Sequence, residues 1–418
     1  MRFQKPQIVI VGGGFGGLTA AKKLRKAQAD VILIDKTNHH LFQPLLYQVA
    51  TSALSPGDIA VPLRSALHKY RNIQVVMGEV TRIDKENMRV FLENEFISFD
   101  NLILAPGSRH SYFGNDAWEE YAPGLKCLKD ALNIRERILL SFEKAVRVYG
   151  TPEARKYLTF VIVGGGPTGV EMAGSIAEIA MKTMLPDFPI LKYGDIRVIL
   201  VDSGAKILSS FSGQLSDYSF KALNKLGVEV MNMTKVIEVN ASGIKTAKGI
   251  IESANVLWAA GNTASGLTKQ LGVELDDIGR VIVQPDLSVP GSPNIFVIGD
   301  SARVINPDGS VVPGVAPAAI QEAAYVAGLI IERQPAGSAK PFLYKDKGNL
   351  ATIGMAKAIA QFGKFEFKGL LAWILWTTLH ILFLINYRNK LRVFTEWCWY
   401  YLTKQPGARL IVHKELKK

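Results

Sequence analysis

Two glycine-rich hexapeptides, GGGFGG at 12–17 and GGGPTG at 164–169, constrain this 418-residue chain more than any other feature. Each is entered from an apolar, β-branched run, IVIV at 8–11 and FVIV at 160–163, and each is left through an Ala-rich helical pattern, at 18–24 and 170–179. In a strand–turn–helix setting, glycines permit the tight turn and let backbone N–H groups at the helix start meet an anion, a pyrophosphate above all. Gly12, Gly14 and Gly17 are the candidate cradle in the first unit, and Gly164, Gly166 and Gly169 in the second. One such loop is weak evidence. Two, 152 positions apart, imply that one polypeptide holds two dinucleotides, and the usual chemical reason is electron transfer between them. The expected fold is α/β, with two Rossmann-like dinucleotide-binding domains.

The acidic residues agree. Strand 31–34 ends at Asp35, 23 positions after Gly12, and strand 198–201 ends at Asp202, 38 positions after Gly164. Such a carboxylate accepts hydrogen bonds from an adenosine ribose. A loop over 183–195, carrying Pro186, Pro189 and Gly194, accounts for the longer gap. Asp202 repels a 2′-phosphate and no Arg follows it immediately, which points to NADH rather than NADPH. The bland alternative is that both acids are ordinary strand-end residues.

The strand 101–104 runs into Ala105-Pro106-Gly107-Ser108, and a nearly parallel signal recurs where 255–258 runs into Ala259-Ala260-Gly261. A buried strand at 295–300 returns the chain to the first domain, leaving the second as an insertion. The predicted division is 1–118 with 285–345, then 119–284, then a C-terminal region 346–418. The two cysteines, Cys127 and Cys398, have no paired spacing, which argues against a CxxC redox centre or a cysteine-based iron–sulfur or zinc site and fits a reducing compartment. The first strand begins within ten residues of Met1, so no signal peptide is expected and the protein should face the cytosol.

The net charge of +12 is unevenly placed: residues 386–418 hold eight Lys or Arg against two Glu, half of the excess. Basic clusters serve nucleic acid in many proteins, but the neighbouring sequence argues for anionic lipid instead. Residues 369–385 are apolar apart from Thr377, Thr378 and His380. As a helix they span roughly 26 Å, slightly less than a hydrocarbon core of roughly 30 Å. A single crossing with a cytoplasmic basic tail puts both dinucleotide folds outside, where NADH is absent. Trp397, Trp399, Tyr400 and Tyr401 in 393–402 suit the headgroup level. Monotopic attachment to the cytoplasmic face of the membrane is therefore expected. The rival is a buried core helix, part of which could pack against a second copy in a homodimer.

These segments together resemble the type II NADH dehydrogenases, the membrane-associated, non-proton-pumping NADH:quinone oxidoreductases. The resemblance runs nearly end to end. It rests on LFQPLLYQVATSALSPGDIAVPLR at 41–64, VGGGPTGVEMAG at 163–174, WAAG at 258–261, NIFVIGD at 294–300, PGVAPAAIQEA at 313–323 and GNLATIG at 348–354. It implies a non-covalent FAD held by the first loop with Asp35, Lys36, Gln43, Val80, Ala105, Gly107, Gly299, Asp300 and Ala316. It implies NADH on the second loop with Glu171, Asp202, Ala260 and Gly261, and a membrane menaquinone or ubiquinone beside Pro44, Ala316, Pro317 and Gln321. One departure matters. Many members read Ala-Gln-x-Ala-x-Gln where this chain has Pro317 second, and proline offers no side-chain amide; the final glutamine is kept as Gln321.

Glu171 and Gln321 are the candidate catalytic residues. Family likeness turns Glu171 toward the nicotinamide, whereas helix-dipole stabilisation in a first turn is the plain alternative. Asp300 is implied to bond the ribityl or pyrophosphate region, or else caps the next segment. A Gln such as Gln321 is ordinarily a solvated helix residue. His39 and His40 lack companions for a metal site, so no metal is expected, and they should lie in a loop near the flavin. His380 reads as a packing residue. Two rivals share the fold: a soluble ferredoxin-type reductase, and an NADH-reducible signalling flavoprotein resembling apoptosis-inducing factor. Disulfide, peroxide and sulfide:quinone reductases need redox-active cysteines in motifs this chain lacks.

Overall fold

The structure, a computed structural model, describes residues 5–93, 95–334, 338–405 and 407–411. The chain forms two compact units. One gathers Met1–Leu41, Ala60–Arg109 and Asn262–Lys347; the other gathers Phe42–Ile59, His110–Gly261 and Gly348–Lys418. The helices that shape the candidate site are, in chain order, α1 (Phe15–Leu24), α2 (Leu46–Ala50), α3 (Leu128–Arg147), α4 (Pro167–Ile179), α5 (Ala316–Glu332), α6 (Leu370–Phe383) and α7 (Tyr387–Thr403).

The first unit is built on a six-stranded sheet in the order Ser288–Val289, Ser292–Val297, Asn101–Leu104, Gln7–Val11, Asp30–Asp35, Ile73–Met77. All neighbours are parallel except the first pair. Val9 pairs with Ile32 on one side and Leu102 on the other, and it is wholly buried. Parallel strands covered on both faces need such unbroken apolar runs. α1 lies against α5, and Gly16 makes the approach close: a Cβ there would meet the Ile298 side chain at 3.1 Å and the Ala319 carbonyl at 3.6 Å. His39 and His40 are not in a loop as expected; His39–Leu41 is a strand paired with Ala60–Pro62. Backbone pairing across twenty residues leaves no periodicity in so short a run.

The second unit holds a four-stranded parallel sheet, Val228–Met231, Arg197–Val201, Thr159–Val163, Asn255–Trp258. A three-stranded antiparallel sheet follows within the insertion. The expected loop over 183–195 begins late. α4 runs on through a wide π turn, Ala180–Met184, and a final turn, Leu185–Asp187. Pro186 has no N–H to give the carbonyl four residues back, and a widened turn absorbs that loss.

The C-terminal region opens with a sheet of its own, Asn349–Gly354, Lys357–Phe362 and Phe365–Gly369, before α6 and α7. Its first strand presses on α4, where a Cβ at Gly174 would meet the Ile353 carbonyl at 1.9 Å. Among the described residues no helix is long and apolar enough to cross a membrane. The basic residues Lys414, Lys417 and Lys418 lie outside the described residues.

Candidate functional site

In the first unit the chain leaves its central strand at Gly12, whose φ of +101° few other residues adopt. A Cβ there would strike the Ala105 carbonyl oxygen at 2.1 Å, and one at Gly17 would strike the Gly12 carbonyl oxygen at 1.7 Å. Gly14 differs: a Cβ there meets nothing within 4 Å. It opens α1, which no side chain caps and whose first turn carries no acid. The early N–H groups of the helix thus face open space with a positive dipole end behind them, a fitting cradle for a pyrophosphate. Asp35 closes the loop from the side. One oxygen accepts the Gly13 N–H at 2.5 Å; the other accepts the N–H and hydroxyl of Thr37, both at 2.7 Å.

The remaining first-unit candidates fall into three groups. Ala105 and Gly107 follow the strand beside the loop, and Gly107 accepts a hydrogen bond from the Ser301 hydroxyl at 2.7 Å. Asp300 stands in the turn Gly299–Ser301 and accepts the Ser108 hydroxyl at 2.6 Å. Ala316 and Pro317 begin α5, again uncapped by any side chain and without an acid in its first turn. Gln321 is not a free surface amide: its nitrogen donates to the carbonyls of Pro317 and Lys345, and its oxygen accepts the Lys345 N–H at 3.0 Å. Lys36 is exposed, whereas Val80 is buried in the strand that follows Gly78, whose N–H meets the Asp35 carbonyl.

Two further buried polar residues of this unit lie close to its turns. His40 is buried, donates from Nδ1 to the Gly13 carbonyl at 2.9 Å and meets the Phe15 ring edge-on. Burial lowers its pKa, which favours the neutral ring. Glu322, also buried, accepts the Gly299 N–H at 2.6 Å.

The second loop repeats the first. Gly164 has φ of +114°, and a Cβ on it would meet the Ala259 carbonyl at 2.6 Å, with Ala260 Cα at 2.8 Å. Gly169 backs onto the Gly164 carbonyl, while Gly166 again faces nothing within 4 Å at the uncapped start of α4. Asp202 accepts the N–H groups of Gly165 at 2.5 Å and Gly204 at 2.7 Å. Gly261 accepts the Ser111 N–H at 3.2 Å.

Glu171 lies beyond the first turn of α4, which weakens the dipole explanation for it. It is partly buried and accepts the Thr352 N–H at 3.2 Å; burial, opposed by that hydrogen bond, pushes its carboxyl up to about 8. Thr352 is also the start of a polar string. Its hydroxyl meets the Tyr47 hydroxyl at 3.1 Å, Gln48 Nε2 donates to the same phenol at 2.9 Å, and Trp397 Nε1 donates to Gln48 Oε1 at 2.6 Å. Burial and then the charge of Glu171 raise the Tyr47 phenol well above its ordinary range. Gln43 donates to the Lys126 carbonyl at 3.1 Å, and Pro44 sits beside it in the turn Gln43–Leu45. Both belong to the second unit. Arg135, on α3, holds the same segment by donating to the carbonyls of Val49 and Leu54.

The C-terminal helices have two faces. Trp376 and Trp397 are buried against each other, 5.5 Å between centroids. Trp397 is therefore core, not a headgroup-level ring as the sequence pattern suggests. His380 packs as expected: it stacks on Trp376 at 4.0 Å, donates to that residue's carbonyl, and burial brings its pKa down to about 4. The opposite face exposes Leu371, Ile374, Phe383, Leu391, Phe394, Trp399 and Leu402. Among the described residues no group of three or more His, Cys, Asp or Glu side chains could hold a metal ion.

Comparison with known proteins agrees with this geometry. The pyridine nucleotide-disulphide oxidoreductase family pattern matches residues 6–323, and that of the NDH2 C-terminal domain matches residues 347–404. The type II NADH:quinone oxidoreductase Ndh of Mycobacterium tuberculosis is 45% identical over 429 aligned positions, covering 99% of this chain and 91% of that protein. The type II NADH:quinone oxidoreductase of Haemophilus influenzae is 30% identical, covering 85% of this chain and 88% of that one. Among solved structures, NDH2 of Plasmodium falciparum in complex with NADH superposes with a TM-score of 0.87 at 21% identity, over 98% of this chain and all of that one, a likeness of fold. The two glycine loops, the sheets that carry them and these relatives lead to one assignment: the chain belongs to the type II NADH:quinone oxidoreductases, within the pyridine nucleotide-disulphide oxidoreductase family.

Proposed function

We propose that this chain transfers two electrons from NADH to a membrane quinone, menaquinone or ubiquinone, without pumping protons, using non-covalently bound FAD. The observation that carries this reading is the pair of uncapped helix starts, at Gly14 and Gly166, each open to space and each flanked by a strand-end aspartate. FAD, when bound, supplies the redox chemistry. The chain's own residues bind, orient and separate. The N–H groups of α1 hold the flavin nucleotide's pyrophosphate, with Asp35 and Lys36 toward its ribose. Val80, Ala105, Gly107, Gly299, Asp300 and Ala316 complete that site in the first unit, and family likeness adds Gln43 as a FAD residue of the second. The N–H groups of α4 hold NADH together with Asp202, Ala260 and Gly261, and Glu171, largely protonated at neutral pH, orients the nicotinamide. By family likeness, Ala316, Pro317 and Gln321 are the quinone-side residues of the first unit and Pro44 that of the second.

NADH is favoured over NADPH. Asp202 repels a 2′-phosphate, and the nearest following cation, Lys206, is paired with Asp217 at 3.0 Å. By function the chain divides into a FAD-binding part (1–118 and 285–345), an NADH-binding part (119–284) and a membrane-anchoring part (346–418). The exposed apolar face of α6 and α7, with Arg388, Lys390, Arg392 and Lys404 around it, suits the anionic cytoplasmic surface of the cell membrane. A homodimer through part of this region is compatible with the same face.

The experiment is steady-state oxidation of NADH and of NADPH by FAD-reconstituted protein with menaquinone and ubiquinone analogues. NADH should be the better reductant. Colourless protein that refuses FAD overturns the reading; slow quinone reduction with a persistent charge-transfer band favours a signalling flavoprotein. For the membrane, Phe394→Glu with Leu402→Glu should abolish flotation with phosphatidylglycerol-containing vesicles, and unchanged flotation removes this face from the anchor.

A further inference from the structure

The first unit contains a buried carboxyl that the function above leaves unused. Glu322 stands on α5 with 2% exposure, and its side chain accepts the Gly299 N–H at 2.6 Å. Gly299 opens the turn whose next residue, Asp300, accepts the Ser108 hydroxyl, and whose third residue, Ser301, donates to the Gly107 carbonyl. Gly299 has φ of +69°, so the turn depends on this backbone state, and the carboxyl lies directly on its first N–H. A buried charge at such a site calls for a cation or several donors. Among the described ion pairs none includes Glu322. The titratable groups that face it are Asp300, whose charge repels it, and Tyr344, on the segment that Gln321 ties to α5 through Lys345. Burial, opposed by the Gly299 N–H and reinforced by Asp300, brings its carboxyl to about 7.

We propose that Glu322 is a positioning residue for the flavin: it fixes the Gly299–Asp300 turn, and its charge, when present, biases the bound flavin toward the oxidised form. This rests on the FAD assignment of the preceding section. Two effects separate by chemistry. Glutamine keeps an oxygen for the Gly299 N–H but cannot ionise. Alanine removes the acceptor and leaves that N–H unsatisfied.

The test is a redox titration of holoprotein, wild type against Glu322→Gln, from pH 5.5 to pH 9. The two midpoint potentials should coincide below pH 6, where the carboxyl is neutral, and separate above pH 8, with the variant more positive, because a nearby negative charge opposes added electrons. Parallel curves over the whole range overturn the electrostatic half. For the geometric half, Glu322→Ala should release FAD at least about tenfold faster than Glu322→Gln, the equivalent of about 1.4 kcal/mol; equal release overturns it. If the alanine variant does not fold, the glutamine titration still decides the charge, and the FAD off-rate of Glu322→Ser, which keeps a small polar group without reaching Gly299, takes its place. Wild-type protein that takes up no FAD overturns the flavin reading and this inference together; wild type that binds FAD with parallel titrations overturns this inference alone.

Discussion

The two glycine loops are near copies in backbone, yet they differ in where each keeps its protonatable carboxyl. In the second unit that group is Glu171, on the loop's own helix, seven residues beyond Gly164. The equivalent position of α1 is Thr19, and the first unit draws its buried carboxyl from a different helix, as Glu322 of α5. On the proposed function, Glu171 meets a substrate that comes and goes, whereas Glu322 is sealed behind a turn proposed to hold a resident group. The two copies of the cradle thus differ in the origin of the carboxyl, the loop's own helix in one and a separate helix in the other.

The sharpest way to break this comparison is to damage each loop alone. A Cβ at Gly17 meets the Gly12 carbonyl at 1.7 Å and one at Gly169 meets the Gly164 carbonyl at 1.8 Å, so both substitutions distort the cradle by roughly 1–3 kcal/mol. Gly17→Ala should yield protein with little bound flavin by absorbance. Gly169→Ala should stay yellow but lose about tenfold to hundredfold in NADH-driven reduction. Loss of colour in both would mean that the loops do not serve separate nucleotides.

Next in size is Glu171→Gln, expected to slow flavin reduction by NADH about tenfold in stopped flow, within the range of a positioned polar contact. It also carries a pH signature. The carboxyl is pushed from 4.5 up to about 8 in the folded chain, so the native state holds its proton more tightly than the unfolded state. Its stabilising share is complete below pH 4.5 and drains away as pH rises through about 8. Relative to wild type, the Tm of Glu171→Gln should therefore climb between pH 5 and pH 8 and level off above. A Tm difference that is flat with pH would place the carboxyl in water.

Smaller still is Trp397→Phe, which deletes the donor to Gln48 and should lower stability by about 1–2 kcal/mol, read as a Tm lower by a few degrees. The smallest effect belongs to the edge of the second sheet. Arg197 and Glu229 form a two-pronged pair, but both side chains are about half exposed, so Arg197→Met should cost less than about 1 kcal/mol in urea unfolding.

What was legible in the chain follows the range of the interactions. The strands at 8–11, 31–34, 160–163 and 198–201, both glycine loops and the apolar helix at 370–383 declare themselves within ten residues each, through periodicity and turn chemistry. Glu322 was within reach too. It shares helical phase with Ala318, Ala319, Ala323, Val326 and Ala327, all buried, so the stripe that packs already contained an acid. Tyr47 with Thr352, or Gln48 with Trp397, could not be read, since their partners are 305 and 349 residues apart and leave no local pattern. The widened turn after α4 hid behind Pro186, which usually signals a stop.

The C-terminal helices touch the remainder of their unit with one side and turn the other outward. Ala372, Trp376, Val393 and Trp397 point inward and are essentially inaccessible, while Asn389 donates to the Asp58 carbonyl. Cutting the polypeptide before residue 369 to obtain a detergent-free enzyme would uncover a second greasy surface as it removed the first. A water-soluble form is better sought by repainting the outer side chains and leaving the inner ones untouched.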